Sequence, residues 1–481
     1  MPSPSGGWLD ALERAGNRLP DPVVLFAGVS IIVATLSALL AGLGWAVPHP
    51  SKDEVVPVVN LLGPDMLRRM WTDAVKNFGA FPPLASVLVA VMGIGVAEKT
   101  GLVGAVLGRA VASVPPRWLT AAMLFVGANG AIASDASFVV LVPLGATLWA
   151  QAGRHPLAGL AIAYAAVSGG YGANLLVTAL DPLLAGLTDA AAKLVDPSVK
   201  VAATCNWFFN IASVFLVTGV GAWVAPRVEA RFGPWEGREA RVEGHDAALR
   251  PALLAGVATV VALVLVAVFV IRGDTWAPVY DSMVILVATA AFVPGVVYGI
   301  VSGKIRSSHD AMQVVAEAAS GMGAYIVLAF AAAQFVAWFN WSNLGIVLAV
   351  KGAGVVQSLG LSSTLLLALF VLLSGVLNVL VASASAKWAF MAPLFVPMLM
   401  LLGVDPATTQ AAYRVGDAVT NVLTPLMPYM PIVLAAARRY VPEAGMGTVL
   451  AAQVPFAVAW GIAWTAMLLG WNAMGWPLGL G

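Results

Sequence analysis

Four ionisable side chains lie inside stretches of the sequence that are otherwise long and apolar: Asp181, Lys387, Arg414 and Asp417. A charge at the centre of a helix in a bilayer costs about 2.5–3.5 kcal/mol on insertion scales. Together the four would cost on the order of 10 kcal/mol if they stayed unpaired and dry. We therefore expect them to pair with one another or to face a hydrated binding site.

Three polar residues in the second half of the chain, Arg414, Asp417 and Asn421, are spaced by three and four positions. A helix presents residues at that spacing as one stripe. One interpretation is a structural pair, in which Arg414 and Asp417 neutralise each other. The other is functional: Asp417 and Asn421 help to bind a cation, while the planar guanidinium of Arg414 binds a carboxylate through two hydrogen bonds.

A glycine-rich segment interrupts an apolar stretch in the first half, where the sequence reads Ser-Gly-Gly-Tyr-Gly-Ala-Asn from Ser168 to Asn174. Three glycines in four positions favour unwound backbone. Asp181 follows within seven residues of Asn174. This pattern predicts a broken helix whose polar residues, Asn174 and Asp181, contribute to a substrate site.

The two polar regions belong to an internal repeat, whose copies are separated by about 250 residues. Each copy has an asparagine, four apolar residues, a serine, a short polar turn, an apolar return with a proline, and then a helix that starts at a proline. The landmarks are Asn129, Ser134, Pro143 and Pro156 in the first copy, and Asn378, Ser383, Ser385, Pro393 and Pro406 in the second.

The apolar stretches at 118–153 and 361–404 each break in the middle at small polar residues. We interpret both as re-entrant hairpins, with Ser134 at the tip of the first and Ser385 and Trp388 at the tip of the second. Non-helical backbone survives at membrane depth only where it lines a cavity or is buried in protein. Secondary transporters place their binding sites where such paired, interrupted segments meet.

Composition places these elements in a membrane. The chain has 481 residues, of which 60% are hydrophobic and only 10% charged, and its mean hydropathy is +0.90. Soluble domains average about 45–50% apolar and about 25% charged residues. The net charge of +1 gives no indication of nucleic-acid binding, and the lone Cys205 excludes an internal disulfide. No cofactor is expected other than a sodium ion.

Apolar runs long enough to cross the hydrocarbon, which takes about 20 residues, lie at 22–47, 84–112, 156–180, 204–225, 252–271, 279–302, 322–349, 407–437 and 448–473. Basic residues in the short loops place the N-terminus in the cytoplasm and the C-terminus outside. The predicted fold is an all-α polytopic membrane protein, an inverted structural repeat with nine transmembrane helices and two re-entrant helical hairpins. Its parts are a first half at 1–225, a cytoplasmic linker at 226–250 and a second half at 251–481.

The sequence resembles the p-aminobenzoyl-glutamate transporter (AbgT) family at 7–22, 134–143, 153–159 and, most specifically, 413–429, which begins Tyr-Arg-Val-Gly-Asp-Ala-Val-Thr-Asn. The likeness extends from about 7 to 470. It implies a homodimer in the inner bacterial membrane, with p-aminobenzoyl-glutamate, p-aminobenzoate or sulfonamides as substrates.

The resemblance also implies roles for particular residues. Transport in the family requires an Asp in the first broken helix, a hairpin Trp, a Pro, and an Arg in the second broken helix; these match Asp181, Trp388, Pro406 and Arg414. A family sodium site would involve Asn378 and Asp417, to which Asn421 adds an oxygen from the same stripe.

Two other functions remain open at this point. A transporter of small dicarboxylates or short fatty acids could share the inverted repeat, but it would need no aromatic platform such as Trp388. A membrane hydrolase would use Ser134 or Ser385 as its nucleophile and would need a base. Because no P-loop lysine motif occurs in the sequence, we expect a gradient rather than ATP to drive transport.

Overall fold

The computed structural model describes residues 22–480, except 51–53, 134, 238–246, 277, 280–281, 321, 381–382, 425–426 and 428. The regular secondary structure of the described chain is almost entirely helical. A short antiparallel β-hairpin, β1 (Ala46–Pro48) with β2 (Val55–Pro57), lies in the loop after the first helix. This confirms the all-α class that the composition predicted.

The helices of the first half are α1 (Pro22–Gly42), α2 (Pro64–Thr72), α3 (Ala74–Gly79), α4 (Pro82–Thr100), α5 (Leu102–Ala112), α6 (Leu119–Ala128), α7 (Asp135–Gln151), α8 (Pro156–Gly169), α9 (Leu180–Ala192) and α10 (Trp207–Phe232). Those of the second half are α11 (Leu249–Val266), α12 (Met283–Val301), α13 (Ser308–Ser320), α14 (Gly323–Trp341), α15 (Leu344–Ser358), α16 (Ser363–Leu380), α17 (Ala384–Leu401), α18 (Pro406–Asn421), α19 (Met430–Arg438) and α20 (Met446–Ala473). A π-helical turn, Ala267–Ile271, extends α11.

The repeat read from the sequence is visible in the order of the elements. Two helices separated by a break, α6 and α7, precede α8 and α9, which are separated by a second break. Likewise α16 and α17 precede α18 and α19. Both α8 and α18 begin at a proline, and the residue before it caps the helix: the side chains of His155 and Asp405 accept hydrogen bonds from backbone amides of the first turn.

The two copies also pack against each other reciprocally. Helix α9, which ends the first copy, lies against α17 of the second, and α19, which ends the second copy, lies against α7 of the first. An exchange of equivalent contacts is what a two-fold relation between inverted repeats produces. Helix α18 contacts the 3₁₀ turn Gly170–Gly172 that breaks the first copy.

Several predicted membrane spans are interrupted. The span at 84–112 breaks at Gly101, whose φ of 97° is left-handed, and the span at 322–349 breaks at Asn343, whose φ is 58°. An apolar run does not reveal a helix break of this kind, because the break depends on the left-handed backbone of a single residue. Helix α10 continues to Phe232, seven residues beyond the predicted end of the first half at 225.

Five described helices are long and apolar enough to cross a membrane, and the number rises to eight if each of three bent helix pairs counts as one span. Helix α17, the second arm of the predicted hairpin at 361–404, is among the five. The chain is therefore a multi-pass membrane protein, while the number of nine spans remains a prediction.

Candidate functional site

The site is organised around helix α18, which lies almost wholly inside the protein. Pro406 occupies its first turn, where the missing N–H costs nothing, and Asp405 caps it. Gly416 permits a close approach to α16: a Cβ there would lie 2.2 Å from the carbonyl oxygen of Val371. The helix therefore presents Arg414 and Asp417 to buried partners on both of its sides.

Arg414 forms an ion pair with Asp181, whose carboxylate lies 233 positions earlier in the chain. Their side chains are 3% and 4% exposed. The guanidinium also donates to the Tyr171 carbonyl at 3.4 Å. This pair joins the second copy of the repeat to the first and neutralises two of the four buried charges.

Both carboxylate oxygens of Asp181 accept hydrogen bonds. Its Oδ2 accepts hydrogen bonds from the Thr178 amide at 2.6 Å and the Thr178 hydroxyl at 2.8 Å. Its Oδ1 accepts from Arg414 and from Asn210 Nδ2, the latter at 3.4 Å. Asp181 lies in the first turn of α9, where the helix dipole stabilises a negative charge. The carboxylate is thus stable without full engagement of the arginine.

Arg414 and Asn174, in contrast, keep unused hydrogen-bonding groups. The Nε of Arg414 and both side-chain polar atoms of Asn174 are buried without a hydrogen-bond partner among the described residues. Gly172, two positions before Asn174, packs closely on α18, since a Cβ there would lie 3.2 Å from the Arg414 carbonyl. Buried unsatisfied polar groups are costly, so this region of the fold is equipped to bind a polar ligand.

The second ion pair joins Asp417 to Lys387, which lies in the first turn of α17. The two side chains are only 5% and 2% exposed. The Lys387 ammonium also donates to Asn378 Oδ1. Asn421 completes the group by donating to Asp417 Oδ2 at 3.2 Å.

Asn378, at the end of α16, connects this group to the backbone. Its Nδ2 lies 2.8 Å from the Asp417 carbonyl, 2.8 Å from Asn421 Oδ1 and 3.0 Å from Thr420 Oγ1. We call Asn378, Lys387, Asp417 and Asn421 the charged cluster. Its side-chain oxygens are hard donors of the type that transporters use for sodium, so their chemistry fits the ion, and Lys387 is in contact with two of them.

Trp388 lies between the two copies. Its ring is fully buried and stacks on Tyr413, with ring centroids 4.5 Å apart. Its Nε1–H donates to the Thr188 hydroxyl at 3.0 Å and lies 3.3 Å from the Leu184 carbonyl. Because Tyr413 precedes Arg414 in α18, the aromatic stack adjoins the arginine through the helix backbone.

The structure brings most of the predicted site residues together around α18, namely Asn174, Asp181, Asn378, Trp388, Arg414, Asp417 and Asn421. Ser385 lies at the tip of the second hairpin, with its Oγ 3.4 Å from the Oγ of Ser383. Pro406 starts α18 eight residues before Arg414, or about 12 Å along the helix axis at 1.5 Å per residue. Ser134 lies outside the described residues.

The local pair that the spacing of Arg414 and Asp417 suggested is not formed in the described part of the chain. Each of the two residues instead has a partner on another helix: Asp181 on α9 and Lys387 on α17. The spacing of residues along one helix does not reveal partners that lie on other helices. Lys387 is recognisable in the sequence as a buried charge, but the predicted site at Asn378 did not include it. The signal for that was its position nine residues after Asn378.

In the equivalent region of the first half, the described contacts join neutral groups. Asn129 donates to the Phe125 carbonyl and accepts from the Leu175 amide, both at 2.9 Å. The Ser137 hydroxyl donates to the Gly130 carbonyl at 2.5 Å. Phe138 stacks on Tyr429 of the opposite copy, with ring centroids 4.4 Å apart. We call Asn129, Ser137 and Phe138 the neutral cluster.

Comparison with known proteins agrees with this architecture. Residues 7–481 match the sequence model described as "AbgT putative transporter family". The chain is 35% identical over 492 residues to the p-aminobenzoyl-glutamate transport protein of Escherichia coli (strain K12), covering 99% of this chain and 96% of that protein.

Two solved structures share the fold. The Alcanivorax borkumensis YdaH transporter, described as having an unusual topology, superposes with a TM-score of 0.91 at 42% identity, covering 96% of this chain and all of that one. Neisseria gonorrhoeae MtrF, described as an antimetabolite efflux pump, superposes with a TM-score of 0.90 at 37% identity over 97% of each chain. The chain is therefore a multi-pass membrane transporter, not an enzyme, and it belongs to the AbgT family.

Proposed function

We propose that the chain transports small aromatic carboxylates of the p-aminobenzoyl-glutamate and p-aminobenzoate type, and that Arg414 binds the substrate carboxylate. The observation that carries this proposal is a buried guanidinium whose Nε has no partner among the described residues. A guanidinium offers five N–H donors in a planar fork that matches a carboxylate.

Substrate binding would exchange one carboxylate for another. Asp181 holds Arg414 through one oxygen, while Thr178 and the first turn of α9 hold the other oxygen independently. The substrate carboxylate takes the place of Asp181 on the guanidinium, and the unpartnered amide of Asn174 is positioned to bind a second polar group of the substrate. The cost of separating the ion pair is then offset by a new pair of the same kind.

The aromatic ring of the substrate would bind near Trp388 and Tyr413. These rings stack on each other, and Trp388 is fully buried. A substrate ring can therefore use the Trp388 face only when the two rings separate, which an alternating-access movement of α17 against α18 would permit. A sulfonamide such as sulfanilamide shares the aminophenyl ring, and its export is part of this proposal.

An ion gradient would drive transport through the charged cluster. Asp417 is the coupling residue in this proposal, and its carboxylate, Asn378 and Asn421 are the residues that would hold a sodium ion. Support comes from the location of the cluster one helical turn from Arg414 on the same helix. Movement of α18 would thus change the ion site and the substrate site together.

The assembly and orientation are also proposals. We infer a homodimer in the inner membrane with a cytoplasmic N-terminus. Helix α11 supports a contact surface, since little of it is buried and Leu254, Val257 and Phe269 are among its exposed apolar residues. Chemical crosslinking in native membranes tests the dimer, and cysteine accessibility from either side tests the orientation.

Counterflow of labelled p-aminobenzoate in proteoliposomes tests the substrate class. The unmodified protein should exchange p-aminobenzoate and p-aminobenzoyl-glutamate, and Arg414→Ala should exchange neither. Arg414→Lys keeps the charge but loses the bidentate geometry, so it should retain only a small part of the activity. Exchange of succinate or butyrate with no exchange of aromatic acids would instead assign the chain to the alternative substrate class.

A further inference from the structure

The oxygens that would hold a coupling cation already have a cation in contact with them. Lys387 Nζ donates to Asn378 Oδ1 and to Asp417 Oδ1. It also lies 5.6 Å from the centroid of the Tyr413 ring, within the range of a cation–π contact. An ammonium group is a compact point charge, and it donates hydrogen bonds to oxygen atoms of the kind that bind an alkali ion.

Electroneutrality limits the cluster to one cation at a time. Among the described side chains, Asp417 is the carboxylate that faces Lys387, and the other buried carboxylate near α18, Asp181, is paired with Arg414. A sodium ion added beside the ammonium would leave an unbalanced positive charge in a region where Asp417 and Lys387 are about 95% buried or more. Uncompensated charge at such a depth is strongly unfavourable.

The position of Lys387 also allows its ammonium to leave the charged cluster. It is the fourth residue of α17, whose cap is Ser383, and the positive end of a helix dipole disfavours a cation. The partly exposed hairpin tip, Ser383 to Ser385, lies directly before it. Its ammonium is therefore held by Asp417 and Asn378 against the dipole of its own helix.

We propose that Lys387 is a tethered cation that occupies the coupling site and sets its affinity for sodium. Sodium binds when the ammonium leaves Asn378 and Asp417, and the ammonium returns when sodium is released. The inference rests on the proposed cation site, but not on the identity of the organic substrate.

Sodium binding to purified protein, measured without any organic substrate, tests the inference. We would compare binding of ²²Na⁺ and the melting temperature in sodium chloride against equal choline chloride. Lys387→Met keeps most of the length of the side chain and removes its charge, so it should bind sodium roughly tenfold or more tightly than the unmodified protein. Its melting temperature should rise with sodium, while that of the unmodified protein should change little.

Matched variants separate this effect from general damage. Lys351→Met removes an exposed lysine on α15 and should behave like the unmodified protein. Lys387→Arg keeps a tethered cation and should show no sodium response. The neutral pair Lys387→Met with Asp417→Asn should fold and show none either, because the carboxylate is gone.

Three results would overturn the inference. One is tight sodium binding by the unmodified protein, equal to that of Lys387→Met. Another is a folded Lys387→Met protein that binds no sodium. The third is failure of both Lys387→Met and Lys387→Gln to accumulate in sodium although the neutral pair accumulates, since sodium could then not replace the ammonium. Normal p-aminobenzoate exchange beside any of these results would leave the substrate proposal intact.

Discussion

The neutral and charged clusters occupy equivalent places in the two copies of the repeat, yet they hold their hairpins by different chemistry. In the first copy Asn129 binds backbone groups and Ser137 closes the hairpin on the Gly130 carbonyl. In the second copy Asn378 accepts from the Lys387 ammonium, which joins the two arms of the hairpin, and the ion pair of Lys387 with Asp417 joins the hairpin to α18. Phe138 and Trp388 each lie five residues before the corresponding proline, Pro143 or Pro393.

This difference indicates a division of labour between the copies. Hydrogen bonds between neutral groups hold a fixed geometry, whereas an ion pair can exchange one partner for another charge. The first copy therefore fixes the unwound segment that carries Asn174 and leads into the helix of Asp181. The second copy supplies the exchangeable groups, Arg414 and Asp417, on one helix. Breaking the equivalent contacts one at a time should show this asymmetry.

Removing Asp417 should have the largest effect. Asp417→Ala leaves the Lys387 ammonium buried without its carboxylate, a change that costs about 3–5 kcal/mol in comparable sites. We expect a large loss of thermal stability in detergent and no measurable p-aminobenzoate exchange. The neutral pair Lys387→Met with Asp417→Asn should recover most of the stability but not the transport. Full stability in Asp417→Ala alone would show that the pair does not hold the hairpin.

The asparagines sharpen the comparison further. Asn378→Ala removes contacts to Lys387, Thr420 and Asn421 within the charged cluster and should abolish any dependence of transport on sodium. Asn129→Ala removes two hydrogen bonds to backbone, worth about 1 kcal/mol each, and should lower stability while ion dependence persists. Measuring p-aminobenzoate exchange with and without a sodium gradient distinguishes the two. Equal behaviour of both variants would contradict the division of labour.

The aromatic residues should show a smaller difference. Trp388→Phe keeps the stack on Tyr413 but loses the hydrogen bond to Thr188, which costs about 1 kcal/mol. Thr188→Val removes the same bond and also the bond of the Thr188 hydroxyl to Gln410 Oε1, so it should lower the melting temperature more. The double variant should then be little worse than Thr188→Val alone, because the bond between Trp388 and Thr188 is already lost in that variant. Simple addition of the two losses would exclude that hydrogen bond as their common cause.

The smallest effect is expected at Ser137. Ser137→Ala removes the hydroxyl that bonds the Gly130 carbonyl and should cost about 0.5–1.5 kcal/mol. Transport should persist, because no charge and no predicted substrate contact is changed. Loss of p-aminobenzoate exchange in a stable Ser137→Ala protein would show that the neutral cluster takes part in transport.

Much of the fold could be predicted from the sequence because membranes impose strong rules. Apolar length, breaks at small polar residues and matched prolines identified the repeat and the helix breaks that separate α6 from α7 and α16 from α17. The breaks at Gly101 and Asn343 could not be predicted, since each depends on one left-handed residue. Pairing could not be predicted either: Asp181 and Arg414 meet only because the two copies pack against each other.

The exchange of carboxylates on Arg414 is tested most directly by binding of p-aminobenzoate to Asp181→Asn. If Asp181 competes with the substrate for the guanidinium, this variant should bind p-aminobenzoate more tightly than the unmodified protein. Aniline, which lacks the carboxylate, should bind both proteins equally weakly. Isothermal titration of the purified proteins gives the two affinities. Unchanged or weaker p-aminobenzoate binding by a folded Asp181→Asn protein would contradict the exchange.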